Sequence, residues 1–130
     1  MLAIRRSISI LFILFLPVIT LADPFDDIVN AMKTGNAKDV ARFFNSNVEL
    51  TVMNNEGVYS KQQAEIILKS FFTQSPPKSV TTQHKGTSAQ GAKYAIAIYE
   101  SSQGVRYRAY IFLKDSGGGM LIHELRFEKE

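Results

Sequence analysis

Residues 48–72 read VELTVMNNEGVYSKQQAEIILKSFF, and their patterning decides the fold. Val48, Leu50 and Val52 alternate with Glu49, Thr51 and Met53, a period of two that predicts a strand with one apolar face. Asn54-Asn55-Glu56-Gly57 follows, and Asn and Gly tolerate the positive φ of a tight hairpin. Val58-Tyr59 is then a short return strand. Ser60 caps the next helix, and Gln63 three residues on completes a capping box. Ala64, Ile67, Leu68 and Phe71 form the apolar stripe of that helix, expected over residues 61–73. Ser75-Pro76-Pro77 ends it.

Upstream of this stretch the pattern is helical. Asp23 at the N-cap, Pro24 at the first helical position and Asp26 in the first turn start a helix over residues 24–34. Phe25, Ile28, Val29 and Met32 give it one apolar stripe, and Gly35 stops it. Asn36 caps a second helix over residues 37–45, with Val40, Ala41, Phe43 and Phe44 as its buried side. Asp23, Asp26 and Asp27 together are read as a solvated, dipole-favoured first turn rather than a cation site.

Downstream the pattern is strand. A polar strand with His84 is expected over residues 79–86, then strong strands over 92–100, 105–114 and 120–127, joined by turns at 101–104 and 115–119. Matching like faces of the two central strands sets Glu100 near Arg106, Tyr99 near Tyr107 and Ala97 near Ala109. One face then carries Ala95, Ala97, Tyr99, Tyr107, Ala109, Ile111 and Leu113, and it is assigned to the helices. The other mixes Tyr94, Ile96, Ile98, Tyr110 and Phe112 with Glu100, Arg106 and Arg108, which suits an interface as well as a half-exposed sheet. In the last strand Met120 and Ile122 are even, whereas Leu125 and Phe127 are odd. A bulge near His123-Glu124 is expected to bring all four to one side and to bend the sheet.

The chain has 130 residues, the size of one domain. Arg5 and Arg6, the charge-free run over residues 8–19 and Thr20-Leu21-Ala22 have the layout of a secretory signal peptide, residues 1–22. The run is shorter than the ~20 residues a membrane span needs, and Pro17 interrupts it. The expected product is residues 23–130, secreted or periplasmic, with no membrane attachment once the leader is cut. Without Arg5 and Arg6 the chain keeps 13 Lys+Arg against 12 Asp+Glu, and net charge falls from +3 to +1. So even a balance gives no electrostatic case for nucleic acid. There is no cysteine, which excludes disulfides, thiolate metal sites and cysteine nucleophiles.

With these elements in place the chain resembles the nuclear transport factor 2-like superfamily, the cystatin-like α+β roll. The residues that carry the resemblance are the 48–72 stretch and the closing GMLIHELRFEK, and it extends over residues 23–130. It is closest to small, signal-peptide-bearing bacterial members of unknown function. The resemblance implies an α+β fold in which three N-terminal helices, the third after a short hairpin, pack on a curved antiparallel sheet forming a cone. Its members include ketosteroid isomerases, scytalone dehydratases and epoxide hydrolases, as well as non-catalytic binding and dimerisation modules. The enzymes carry polar groups inside the cone. Here the aspartates stand at helix starts (Asp23, Asp26, Asp27, Asp39) or in a turn (Asp115), so no catalytic residue is assigned.

The remaining chemistry is sparse. His123 and Glu124 point to opposite faces of a regular strand, and only the bulge joins them. Two histidines without an inner carboxylate do not make a metal site, and nothing calls for a cofactor. GTSAQG and SGGG lack phosphate-loop spacing. The expectation is an exported, non-enzymatic binding or dimerisation module. A small apolar ligand would sit in the cone against Tyr99, Tyr107, Ala97, Ala109 and Phe71. A homodimer would use Tyr94, Ile96, Arg108, Tyr110 and Phe112. The alternative is a small isomerase, dehydratase or hydrolase with the cone as its active site.

Overall fold

In the computed structural model, which describes residue 3, residues 11–17 and residues 23–130, the folded unit begins at a cap. Asp23 Oδ1 accepts from the Phe25 N–H at 2.9 Å, and Pro24 opens α1 (Pro24–Lys33). Gly35 adopts φ 67° beyond its end, and Asn36 caps α2 (Ala37–Ala41) by accepting from the Lys38 N–H at 3.0 Å. The hairpin β1 (Phe44–Val52) and β2 (Asn55–Ser60) leads directly into α3 (Lys61–Gln74). Both bonds of the Ser60–Gln63 capping box form, each at 3.2 Å. Then come β3 (Pro77–Thr87), a 3-10 turn at Ala89–Gly91, β4 (Lys93–Ser101), β5 (Arg106–Asp115) and β6 (Met120–Lys129).

The result is an α+β fold with three α-helices among the described residues and one curved, open sheet in the order β2-β1-β6-β5-β4-β3. The helices share one face: α1 packs on β3, α3 on β1 and β2, and α2 on α3. The β4–β5 register pairs Glu100 with Arg106, Tyr99 with Tyr107 and Ala97 with Ala109, as the face matching predicts. The expected bulge is also present. Phe112 pairs with Glu124 and Leu113 with Ile122, so His123 is the extra residue. It lets Ile122, Leu125 and Phe127 all be buried on the helix side, with Met120 packed against the same core.

Three expectations need correction. The sheet is mixed, because β1 runs parallel to β6, pairing Glu49 with Glu124 and Leu50 with Leu125. Alternating polarity tells which face a strand buries but not the direction of its neighbour. The second helix ends at Ala41 rather than residue 45. Phe44 instead opens β1 opposite Ile122, whose N–H donates to the Phe43 carbonyl at 2.7 Å, so strand pairing overrides the local helical spacing. The hairpin turn is Met53-Asn54, because Val52 already pairs with Asn55. This register sets Tyr59 opposite Val48 and against the core, and it leaves the positive φ (55°) to Met53 instead of an Asn or Gly.

The expected signal peptide falls on residues 1–22, outside the described residues except for 3 and 11–17. Leu11 to Leu16 are 69–93% exposed, so the core owes nothing to them. Among the described residues no helix is long and apolar enough to cross a membrane.

Candidate functional site

The helix-facing side of the sheet is closed by aromatic rings. Tyr99 is fully buried, and its phenol donates to the Ser75 carbonyl at the C-cap of α3, at 2.5 Å. Phe71 reaches down from α3 to Tyr99, Tyr107 and Phe127, with ring centroids 5.3, 5.1 and 4.8 Å away. Phe72 stacks on Tyr99 at 6.0 Å. Ala97 and Ala109 face each other across β4 and β5, both fully buried. Burial, and then the neighbouring Tyr107, pushes the Tyr99 phenol well above its usual value, so it stays a neutral donor. Four of the five sequence-predicted pocket residues, Phe71, Ala97, Tyr99 and Ala109, thus lie within one packed core. Tyr107 is half-buried and borders an open cleft of about 740 Å³ with Met53, Gln74, Gln103 and Phe127.

Among the described residues the opposite side of the sheet bears no helix, and the sequence-predicted interface residues come together on it. Strand registers align Thr51, Arg126, Tyr110, Ile96 and His84 in one row, and Glu49, Glu124, Phe112, Tyr94 and Gly86 in the next. Arg108 and Ile98 pair in a third. Tyr94, Ile96, Ile98, Tyr110 and Phe112 make a half-exposed apolar block on β4 and β5. The rings are ordered against one another. Tyr94 stacks on Tyr110 at 6.2 Å, its hydroxyl meets His84 Nε2 at 3.1 Å, and the Arg126 guanidinium lies 5.2 Å from the Tyr110 ring centre.

Gly86 is part of this arrangement, because the Tyr94 ring lies over its Cα. An added Cβ would meet the ring edge and hydroxyl at 2.6 Å. Gly86→Ala is therefore expected to lift Tyr94 off β3 and break its His84 contact, at a cost of about 1–2 kcal/mol of stability. Urea denaturation monitored by tyrosine fluorescence measures both effects.

Towards β1 the face turns acidic. Glu49, Glu56, Glu124 and Glu128 surround the single Arg126 in a cleft of about 470 Å³. Arg126 pairs with Glu124 and, at 3.6 Å, with Glu128. Hydrogen bonding to Glu124, more than the opposing pull of Arg126, holds the Glu49 carboxyl above the usual range. Sequence reasoning missed this pair because only the parallel β1–β6 neighbourhood creates it. His123 and Glu124 do come to one side at the bulge, in a cleft with Glu49, Phe112 and Lys114. His123 Nε2 is 2.8 Å from Ser116 Oγ, and burial followed by Lys114 holds its ring below the ordinary value. Among the described residues no three His, Asp or Glu side chains form a group that could hold a metal.

Helices on one face of an open sheet, entered through a hairpin and a capped helix, give this chain the fold of solved nuclear transport factor 2-like and cystatin-like proteins. Solved structures agree. A Bacteroides uniformis DUF4783 family protein aligns with a TM-score of 0.75 at 21% identity, over 83% of this chain and 98% of that one. A Xanthomonas campestris structure described as a putative calcium/calmodulin dependent protein kinase II association domain aligns with a TM-score of 0.61 at 19% identity, over 82% of each chain. A Nostoc punctiforme domain of unknown function with a cystatin-like fold gives 0.64 at 9% identity, over 82% of this chain and 72% of that one. Residues 25–128 match the family model for the domain of unknown function DUF4783, and the chain belongs to that family. No curated protein matches the sequence.

Proposed function

We propose that the chain is an exported, non-enzymatic module that associates with a second copy of itself through the helix-free face of its sheet. The observation that carries this reading is the apolar block of Tyr94, Ile96, Ile98, Tyr110 and Phe112 in the middle of that face. Six strands about 4.8 Å apart, with about seven residues along each, make a face of roughly 600 Å², the order of one side of a standard protein interface. Aromatic side chains and arginine at its centre fit the composition of such interfaces. The Xanthomonas neighbour is described as an association domain, which accords with assembly through this fold. In this reading the helices and sheet form a cone filled by Phe71, Phe72, Tyr99 and Phe127, and the leader at residues 1–22 delivers the product outside the cytoplasm.

A second reading keeps a small ligand but moves it out of the cone to the cleft at Tyr107. The loose contact there, Tyr107 Oη to Ser75 Oγ at 3.5 Å, leaves the phenol able to bond a guest. Catalysis within the cone has less support, since His123 and Glu124 line a cleft on the other face of the sheet.

Light scattering of residues 23–130 over rising concentration tests self-association. The expected mass is that of two copies, falling to one on dilution. A mass of one copy at every concentration contradicts it.

A further inference from the structure

Under a two-fold axis the same surface must match itself, so an unmatched charge of one sign needs its counterpart elsewhere on the same face. The helix-free face carries both. Arg108 stands in β5 beside Ile98, exposed at the edge of the apolar block. Glu128 is its register partner on β6, but that carboxylate is turned to Arg126 at 3.6 Å. Arg108 makes no ion pair among the described residues, whereas its strand neighbour Arg106 is paired with Glu130 at 3.2 Å. From Glu128 the cleft of about 470 Å³ runs across β6 and β1 to β2, and it holds four carboxylates against one guanidinium.

Resting on the self-association proposed above, we infer that Arg108 of each copy enters the acidic cleft of the other and pairs with Glu49 and Glu124. A guanidinium suits two adjacent carboxylates, because its planar donors reach both at once. The two ion contacts, related by the two-fold axis, lie apart and fix the rotation of one sheet over the other. They also exclude register slips that the apolar block alone would accept.

The pairing has a pH sense. The groups facing Glu49 are Glu124 and Arg126 on β6 and Glu56 on β2, with Glu128 at the end of the cleft and Lys114 and His123 lining the next one. An arginine binds the ionised carboxylate, so association favours the deprotonated form of Glu49, whose carboxyl the neighbouring Glu124 raises. The dimer therefore strengthens as pH rises through the carboxylate range and weakens in acid.

Charge reversal tests the contact. Arg108→Glu and Glu49→Arg each place like charges at both contacts of a homodimer, and each is expected to raise the dissociation constant roughly tenfold or more. Mixing the two variants restores opposite charges at both contacts, so an equimolar mixture is expected to form a one-to-one heterodimer near wild-type affinity. Both positions are exposed, and thermal melts of the separate variants check that each still folds. If the wild type dimerises and either single variant does so equally well, the pairing is wrong while self-association stands. Loss of dimer in both variants without rescue on mixing also overturns the pairing. A wild type that stays monomeric removes both.

Discussion

Phe71→Ala is expected to lower the unfolding free energy by about 3–5 kcal/mol, the range for removing a ring from a filled core. Phe71 is 1% exposed and is the side chain through which α3 grips the sheet. It touches the Tyr99, Tyr107 and Phe127 rings, contributed by β4, β5 and β6. Its loss leaves a void bounded by three rings that are themselves anchored, so the site collapses poorly. Tyr99 is further tied to the end of α3 through Ser75. The control is Ile66→Ala on the same helix. Ile66 is 68% exposed, so its truncation to alanine is expected to move stability by no more than about 0.5 kcal/mol. Urea denaturation of the two variants measures the difference, and comparable losses would mean that the helix is not held by its aromatic face.

Ile96→Asp is expected to abolish self-association, with a rise of about 100-fold or more in the dissociation constant, and to leave the monomer folded. Ile96 is half-exposed, flanked on its strand by Tyr94 and Ile98 and across the sheet by Tyr110 and His84. In the monomer a carboxylate there keeps contact with water. Between two sheets it is desolvated against apolar side chains with no partner, and an isologous interface buries it twice. Val58→Asp is the discriminating comparison. Val58 is 69% exposed on the edge strand β2, opposite Glu49, with β1 and β6 between it and the apolar block. If strand edges rather than sheet faces joined two copies, Val58→Asp would disrupt the dimer and Ile96→Asp would spare it.

Much of this architecture is legible in the residues themselves. Ser60 and Gln63 announce the capped helix, and the strict alternation of β4 and β5 gives their register to the residue. The change of parity between Ile122 and Leu125 marks the bulge at His123. The same alternation sorts Tyr94, Ile96, Tyr110 and Phe112 onto one face and Ala97, Tyr99 and Ala109 onto the other. Alternation is silent about which strand lies beside which, and the parallel β1–β6 pair is therefore invisible, as is the Glu49–Glu124 contact that depends on it. The end of α2 is hidden for a related reason. Phe43 and Phe44 are spaced for a helix, and only the distant Ile122, bonded to the Phe43 carbonyl, claims Phe44 for a strand. Tyr99 could be recognised as facing the helices. That Phe71 and Phe72 fill the space above it depends on how deeply α3 settles, which is a property of three-dimensional packing.

The most direct measurement is an isotope-filtered nuclear Overhauser experiment on a mixture of labelled and unlabelled protein, at a concentration where light scattering shows two copies. Self-association through the helix-free face predicts cross-peaks between the methyl groups of Ile96 and Ile98 in one copy and aromatic ring protons of the other. Cross-peaks confined to residues of β2 or of the helices would contradict it.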